Sequence, residues 1–252
     1  MTSANIAVVL AAGKGTRMKS ELPKVLFPVL GRPMIHYVLD ALEAGGIERT
    51  IVVVGYKSEL VREELKDREN IRFVEQTEQL GTGHAVMVCR DELKDESGTC
   101  MVVTGDCPMI RHNSVGALIE RFAQGDLACL LGTGHKEDPK GLGRIVRNAD
   151  GQFQAIVEER DATDEQRKIT EINMSYYIFK CPELLESLDH LRTDNAQKEY
   201  YITDVPAIML RNGLPVEALD ILHPSESLGI NTIDELQVVE EALKSRIESE
   251  GR

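Results

Sequence analysis

An α/β fold with a doubly wound, mostly parallel sheet is what the order of hydrophobic segments predicts, and three observations carry that reading. Near-continuous β-branched runs recur at Ile6 to Ala12 (IAVVLAA), Thr50 to Tyr56 (TIVVVGY) and Cys100 to Asp106 (CMVVTGD). Strands without polar alternation are those covered on both faces, as in a parallel sheet. Segments of helical period separate these runs, and regular alternation of strand and helix is the signature of a sheet with helices on both sides.

Taken in order, the first strand is followed by a helix over Met34 to Ala44, which stops at the Gly45, Gly46 pair suited to a helix C-terminus. After the second strand come helical patterns at Glu59 to Lys66 and Gly83 to Leu93; after the third comes one at Asn113 to Gln124, then a weaker strand, DLACLLGT, at Asp126 to Thr133. Beyond Gly141 the rhythm changes. GRIVRNADGQFQAIVEE reads as an inserted antiparallel hairpin turning around Ala149, Asp150 and Gly151. A strand at Ile172 to Phe179, helices at Pro182 to Leu191 and Thr203 to Arg211, and a short strand at Pro215 to Ile221 complete the series. The last segment, Thr232 to Glu250, is a charged amphipathic helix, so the chain divides into a catalytic-sized unit over 1–231 and a C-terminal helix over 232–252. No internal repeat or Pro-rich linker interrupts it.

Composition narrows the partners. The 29 Lys and Arg against 42 Asp and Glu give a net charge of −13, which disfavours polynucleotides, since those require a basic footprint. No apolar run reaches the roughly 18 residues of a membrane span. The start, MTSANIAVVL, has no basic region before its apolar run, so the expectation is a cytoplasmic protein without a signal peptide. Cys89, Cys100, Cys107, Cys129 and Cys181 are odd in number and form no C-x-x-C pair, which points to free, mostly buried thiols rather than disulfides or a zinc site. Oligomeric state is not legible here.

Charge is reversed locally. Between Gly13 and Lys24 lie Lys14, Arg17, Lys19 and Lys24 against Glu21 alone, a cluster that would focus a phosphorylated ligand; a solvated basic turn would read the same from charge. A glycine turn after a buried strand also presents unobstructed backbone N–H groups to phosphate. The P-loop pattern G-x-x-x-x-G-K-[ST] is absent. The dinucleotide fingerprint of Rossmann folds also fails, because Met18 stands at the third glycine position after Gly13 and Gly15, and the second strand ends in Gly55 and Tyr56 without a ribose-binding acid. The fold expected is therefore Rossmann-like, with a different phosphate loop.

The longer stretch LAAGKGTRM, followed by PKVL, resembles the signature of nucleotidyltransferases that make nucleoside-diphosphate sugars. Further segments fall in the order found in the bacterial N-acetylglucosamine-1-phosphate uridylyltransferase family: EQTEQLGTGHAV (Glu75 to Val86), GDCPM (Gly105 to Met109), GLGRI (Gly141 to Ile145), IVEERDATDEQRKITEIN (Ile156 to Asn173), NAQKEYYITD (Asn195 to Asp204) and GIN (Gly229 to Asn231). The resemblance thus extends along nearly the whole chain.

It implies transfer of a uridylyl group from UTP to a sugar-1-phosphate, giving UDP-N-acetylglucosamine and pyrophosphate, with UTP and the sugar phosphate as the only partners. By resemblance, Leu10, Ala11, Ala12, Gly13, Gly15 and Thr16 hold the nucleotide, Gln76, Gln79, Gly81 and Thr82 select uracil, and Arg17 and Lys24 engage its phosphates. Asp106 and Asn231 are the implied Mg²⁺ ligands; their alternatives are a turn residue before Pro108 and a cap of the final helix. Gly143, Glu158 and Asn173 occupy the family's sugar-binding positions. The sequence departs from the family pattern at Thr104 (often tyrosine), at Met174 and Ser175 (a small residue and glycine) and at Ile233 (often arginine), all toward the sugar and metal side. Alternatives are another base or sugar, such as glucose-1-phosphate, or a non-catalytic nucleotide-binding subunit. Members of that family also carry hexapeptide repeats with acetyltransferase activity; none occurs in these residues, so neither acetyl transfer nor a trimer built on such repeats is expected of them.

Overall fold

The computed structural model describes residues 5–15, 20–230 and 232–250. Its centre is the first apolar run, β1 (Ile6–Leu10), flanked in parallel by β4 (Arg49–Val54) and β6 (Thr99–Thr104), with Val8 level with Ile51 on one side and Val102 on the other. β5 (Ile71–Glu75) extends the sheet beyond β4 in parallel. On the other side β10 (Glu171–Lys180) runs antiparallel to both β6 and β7 (Cys129–His135), and β11 (Val216–Asp220) closes the edge in parallel with β7. The order is β11-β7-β10-β6-β1-β4-β5.

The hairpin expected after Gly141 is present as β8 (Arg144–Arg147) and β9 (Phe153–Val157), and it joins the sheet where Arg144 pairs with Ile172. Its turn is set by Asn148, whose side-chain oxygen accepts from the N–H groups of Asp150 (3.0 Å) and Gln152 (2.8 Å), with Gly151 in the left-handed region at φ +78°. A second, two-residue hairpin pairs β2 (Pro28–Val29) with β3 (Arg32–Pro33).

Alternate residues of the central strands face opposite layers, as the pleat requires. Ile6, Val8, Ile51, Val53, Cys100 and Val102 pack under α3 (Thr82–Met87), α7 (Cys181–Leu188) and α8 (Val205–Arg211). Ala7, Val9, Val52, Val54, Met101 and Val103 pack under α1 (Met34–Ala44), α2 (Ser58–Glu64) and α5 (His112–Ala123). A third cluster seats α9 (Ile233–Glu250), through Val239 and Leu243, on Val29, Met34, Met109 and Ile230. Burying side chains of this size stabilises the fold by about 1.5–3 kcal/mol each.

The first helix has the bounds its period predicts, and Gly46 takes φ +100° just past its end. Three features differ from the sequence reading. The segment 83–93 is two helices, α3 and α4 (Arg90–Leu93), because the chain tightens at Cys89, whose N–H donates to Val86 and whose thiol turns back to the carbonyl of Ala85. β5 escapes the pattern because it is an edge strand with Arg72 and Glu75 turned outward, so it lacks the two-faced apolar run. A short helix, α6 (Asp164–Arg167), starts at a capping box between Thr163 and Gln166.

Phe179 is fully buried and stacks on Tyr177 at 5.8 Å between ring centroids. Phe179→Ala is expected to lower unfolding stability by about 3–5 kcal/mol, read as a fall in the urea midpoint at constant m value; a loss under about 1 kcal/mol would contradict this packing.

Candidate active site

Strand order reverses between β1 and β6, and open α/β sheets bind ligands beyond the carboxyl ends of strands at that switch point. The loop after β1 starts with Ala11, whose N–H is bonded to Val53 across the sheet, and Ala12, whose carbonyl accepts from Tyr56. Both are buried; Gly13 is exposed. Gly15 sits at φ +66°, and a Cβ there would lie 2.8 Å from Lys24 Cβ. Glycine is therefore demanded twice, by the backbone and by the lysine packed beneath it.

Lys24 opens a short 3₁₀ turn after Pro23, which holds the chain extended at φ −51°, ψ 138°. Its ammonium is bonded to the carboxylate of Asp106, two residues past β6, with side-chain exposures of 15% and 25%. Burial opposes ionisation of Asp106, but the Lys24 charge, with hydrogen bonds from Lys24 and Thr104, outweighs it and holds the carboxyl below its ordinary value. Cys107, next in the chain, has its thiol pushed up to about 12, chiefly by burial, and is a poor nucleophile. The other four cysteines are buried and free.

Two cavities meet at this ion pair. One, of about 260 Å³, is lined by Leu10, Ala12, Gly13, Gln76, Gln79, Gly81 and Thr82 together with Lys24, Thr104 and Asp106. Gln76 is only 3% exposed; its amide nitrogen donates to the Gly81 carbonyl and His84 Nδ1, both at 3.1 Å. The carboxamide is thus fixed with its donors engaged and its oxygen left to accept. Gly81, at φ +112°, lies so close to Tyr200 that a Cβ would come 2.5 Å from the Tyr200 carbonyl. The loop is stapled there by Tyr200 N–H to Leu80 (2.8 Å), Gly83 N–H to Tyr200 (2.7 Å) and Ile202 N–H to the Thr82 hydroxyl (3.1 Å).

The second cavity, about 510 Å³, shares Lys24, Thr104 and Asp106 and runs between the β10 bulge, the loop at Lys140 to Leu142, the segment 226–229 and α9. A chamber of about 60 Å³ opens beside both; Thr104 lines all three. Asn173 borders the larger cavity and Glu158 the chamber. Gly143 packs against both side chains, since a Cβ on it would lie 3.4 Å from Asn173 Cβ and 3.7 Å from Glu158 Oε1, and its carbonyl accepts from Asn173 N–H at 2.9 Å. Burial pushes the Glu158 carboxyl up, with partial relief from the Thr203 hydroxyl at 3.1 Å.

Leu10, Ala12, Gly13, Gln76, Gln79, Gly81 and Thr82 from the expected nucleotide positions, and Glu158 and Asn173 from the expected sugar positions, therefore line adjoining spaces, whereas Ala11, Gly15 and Gly143 are not among the lining residues. Thr16, Arg17 and Asn231 lie outside the described residues. Among the described residues no cluster of three or more His, Cys, Asp or Glu side chains forms a metal cage, and no helix is long and apolar enough to cross a membrane.

Residues 7–202 match the family of MobA-like NTP transferase domains, which is most of the chain. The chain belongs to that family. Among curated proteins it is 44% identical over 243 residues to the bifunctional protein GlmU of Streptococcus gordonii, covering 96% of this chain and 52% of that protein. It is 42% identical to the bifunctional protein GlmU of Clostridium botulinum (strain 657 / Type Ba4), covering 96% and 53%. The chain thus spans about half the length of the curated relatives it matches. A crystal structure of UDP-glucose pyrophosphorylase complexed with UDP-glucose superposes with a TM-score of 0.76 over 96% of this chain and 99% of that one, at 16% identity, which shows a shared fold.

Several residues of the cleft carry no signal in the sequence pattern. Lys136 and Lys140 line the larger cavity from the segment after β7. Glu226, 1% exposed, accepts four hydrogen bonds, from Ser114 Oγ (2.7 Å), Arg111 N–H (3.0 Å), His223 N–H (3.0 Å) and Tyr176 OH (3.1 Å), and so fixes the segment that forms one wall. An isolated SES triplet gives no hint of that burial.

Glu158 makes stability depend on pH. Its raised carboxyl stays protonated over a wider range in the folded chain than in the unfolded one, so its favourable contribution is complete at low pH and is lost as pH rises through the folded-state value. Glu158→Gln is expected to raise the Tm relative to the parent at pH 7, with the difference shrinking toward zero near pH 4; a difference independent of pH would exclude this origin.

Proposed function

We propose that the cleft joins N-acetylglucosamine-1-phosphate to UTP, forming UDP-N-acetylglucosamine and releasing pyrophosphate. The observation that carries this reading is the position of Lys24 and Asp106 on the shared wall of two cavities, one beside the glycine loop and Gln76, the other beside Asn173. A cation at the junction of two pockets suits a reaction between two anions.

A sugar-phosphate oxygen attacks the α-phosphorus of UTP; the new P–O bond forms as the bond to the bridging oxygen breaks, and pyrophosphate leaves with that electron pair. The nucleophile is already an oxyanion near neutral pH, since the second ionisation of a phosphate monoester lies near about 6. No activated Ser, Cys or general base is required, in keeping with the inert Cys107 thiol. The obstacle is mutual repulsion and misorientation, which fixed positive charge and N–H donors lower.

In this reading Lys24 neutralises charge at the α-phosphate, the backbone of Leu10 to Gly15 carries the triphosphate, and Arg17 grips the β and γ groups with its planar fork. The fixed Gln76 oxygen accepts from a base N–H, as uracil N3–H offers and cytosine N3 does not. Glu158, Asn173 and Gly143 take the sugar. The Asp106 carboxylate at the cavity junction fits Mg²⁺, which accepts one or two protein carboxylates with phosphate oxygens, and Asn231 is the second donor by family position. Magnesium held there would add charge neutralisation and in-line positioning of the triphosphate.

Incubation with UTP, Mg²⁺ and a panel of sugar-1-phosphates should release pyrophosphate fastest with N-acetylglucosamine-1-phosphate; no release with any sugar would refute the proposal. Asp106→Ala should lower kcat by about a hundredfold or more, with the folded far-UV spectrum retained. Gln76→Ala should chiefly narrow the preference for UTP over CTP, and an unchanged ratio would remove its role in base choice.

A further inference from the structure

β10 carries a two-residue bulge: Asn173 pairs with Thr133, but the next pair is Tyr176 with Gly132, leaving Met174 and Ser175 between. Both border the larger cavity, and only Ser175 reaches past it. Met174 is buried in the core and rests on Gly134, where a Cβ would come 2.9 Å from the Met174 sulfur. Ser175 lines both the larger cavity and the 60 Å³ chamber. It does so in a left-handed backbone at φ +60°, a region that disfavours a residue bearing a Cβ. The conformation is held from both sides: Ser175 N–H donates to Asn173 Oδ1 at 3.1 Å, and the same carboxamide donates to the Tyr177 hydroxyl at 2.7 Å. Backbone strain kept in place by neighbours in this way marks functional positions.

The chamber behind Ser175 is small and mixed in character. Glu158, Thr82 and Thr203 give it polar walls, Ile202 and the Tyr177 ring apolar ones. Its 60 Å³ exceeds the roughly 10–15 Å³ needed to admit one water and suits a group of a few heavy atoms with one polar end. We propose that Ser175 is a specificity-determining residue: its side chain forms the sill between cleft and chamber, and limits the sugar substituent that enters to about the size of an acetamido group. This rests on the reading of the larger cavity as the sugar-phosphate site. The hydroxymethyl group narrows the entrance, and the strained backbone is what aims it there.

The test separates strain from gating. Ser175→Gly removes both the side chain and the conformational penalty, whereas Ser175→Ala removes only the hydroxyl and keeps the backbone strained. Steady-state kinetics would use the N-acetyl, N-propionyl and N-butyryl forms of glucosamine-1-phosphate with saturating UTP, alongside thermal unfolding. The expected result for Ser175→Gly is a Tm raised by about 2 °C and a kcat/KM ratio of N-butyryl to N-acetyl substrate raised about tenfold, the scale of one methylene in a pocket. Ser175→Ala should raise the ratio less and the Tm not at all, and in both variants the shift should lie in the KM for the sugar phosphate rather than that for UTP. A raised Tm with an unchanged acyl ratio in both variants would overturn the inference and leave the uridylyltransferase reading standing. A parent protein inert toward the whole series would overturn both.

Discussion

One ion pair organises the cleft. Lys24 and Asp106 are 82 residues apart, yet each is delivered to the same point by a central strand: Asp106 directly by β6, Lys24 by the loop that leaves β1. Their meeting needs the parallel pairing of β1 with β6, the bond from Gly105 N–H to the Leu10 carbonyl at 2.9 Å, and the missing side chain of Gly15 above the lysine. In a chain of net charge −13 the overall field opposes an anionic ligand, so a partly buried ammonium at the switch point supplies local attraction. The pairing also keeps Asp106 ionised against the cost of burial, ready to act as an oxygen donor. Removing Lys24 would strip Asp106 of the charge that offsets its burial, a larger cost than the stability the pair confers.

Around that pair the walls are built from rigid polar junctions rather than from loops alone. Glu226 ties the segment before α9 to α5 and to Tyr176 on β10 through four neutral donors. Arg144, almost wholly buried, ties the hairpin to Glu159 at 2.7 Å and to backbone carbonyls of Leu142 and Arg167. Buried charged groups of this kind are tolerable only when their hydrogen-bonding capacity is largely met, and once met they restrict the cleft to one geometry. Ser175 and the Gln76 carboxamide are held by the same means, so the shape of the cavities is set before a ligand arrives.

Much of this was legible in order and little of it in space. The three apolar runs gave the central strands because a strand covered on both faces has no polar alternation to hide it, and Met34 to Ala44 gave its helix because its period and its glycine stop agree. β5 was missed because an edge strand needs only one apolar face, and the split between α3 and α4 because a buried thiol turning back on a carbonyl leaves no mark in the helical period. Glu158 shows the limit for site residues: nothing in a pair of adjacent acids says which one turns inward, yet Glu158 lines the chamber beside Thr203, while Glu159 faces Arg144 and Arg167.

By itself the sequence determined the alternation of elements, the glycine turn with its local reversal of charge, and the chemical types offered to a ligand, because periodicity, backbone freedom and ionisation are properties of short segments. The tertiary structure decided the reversed direction of β10, the juxtaposition of Lys24 with Asp106 and of Gly143 with Asn173 and Glu158, and the left-handed turn at Ser175. Those depend on which surfaces exclude water together, and segments far apart in the chain acquire that relation only when the sheet and its two helical layers close around one core.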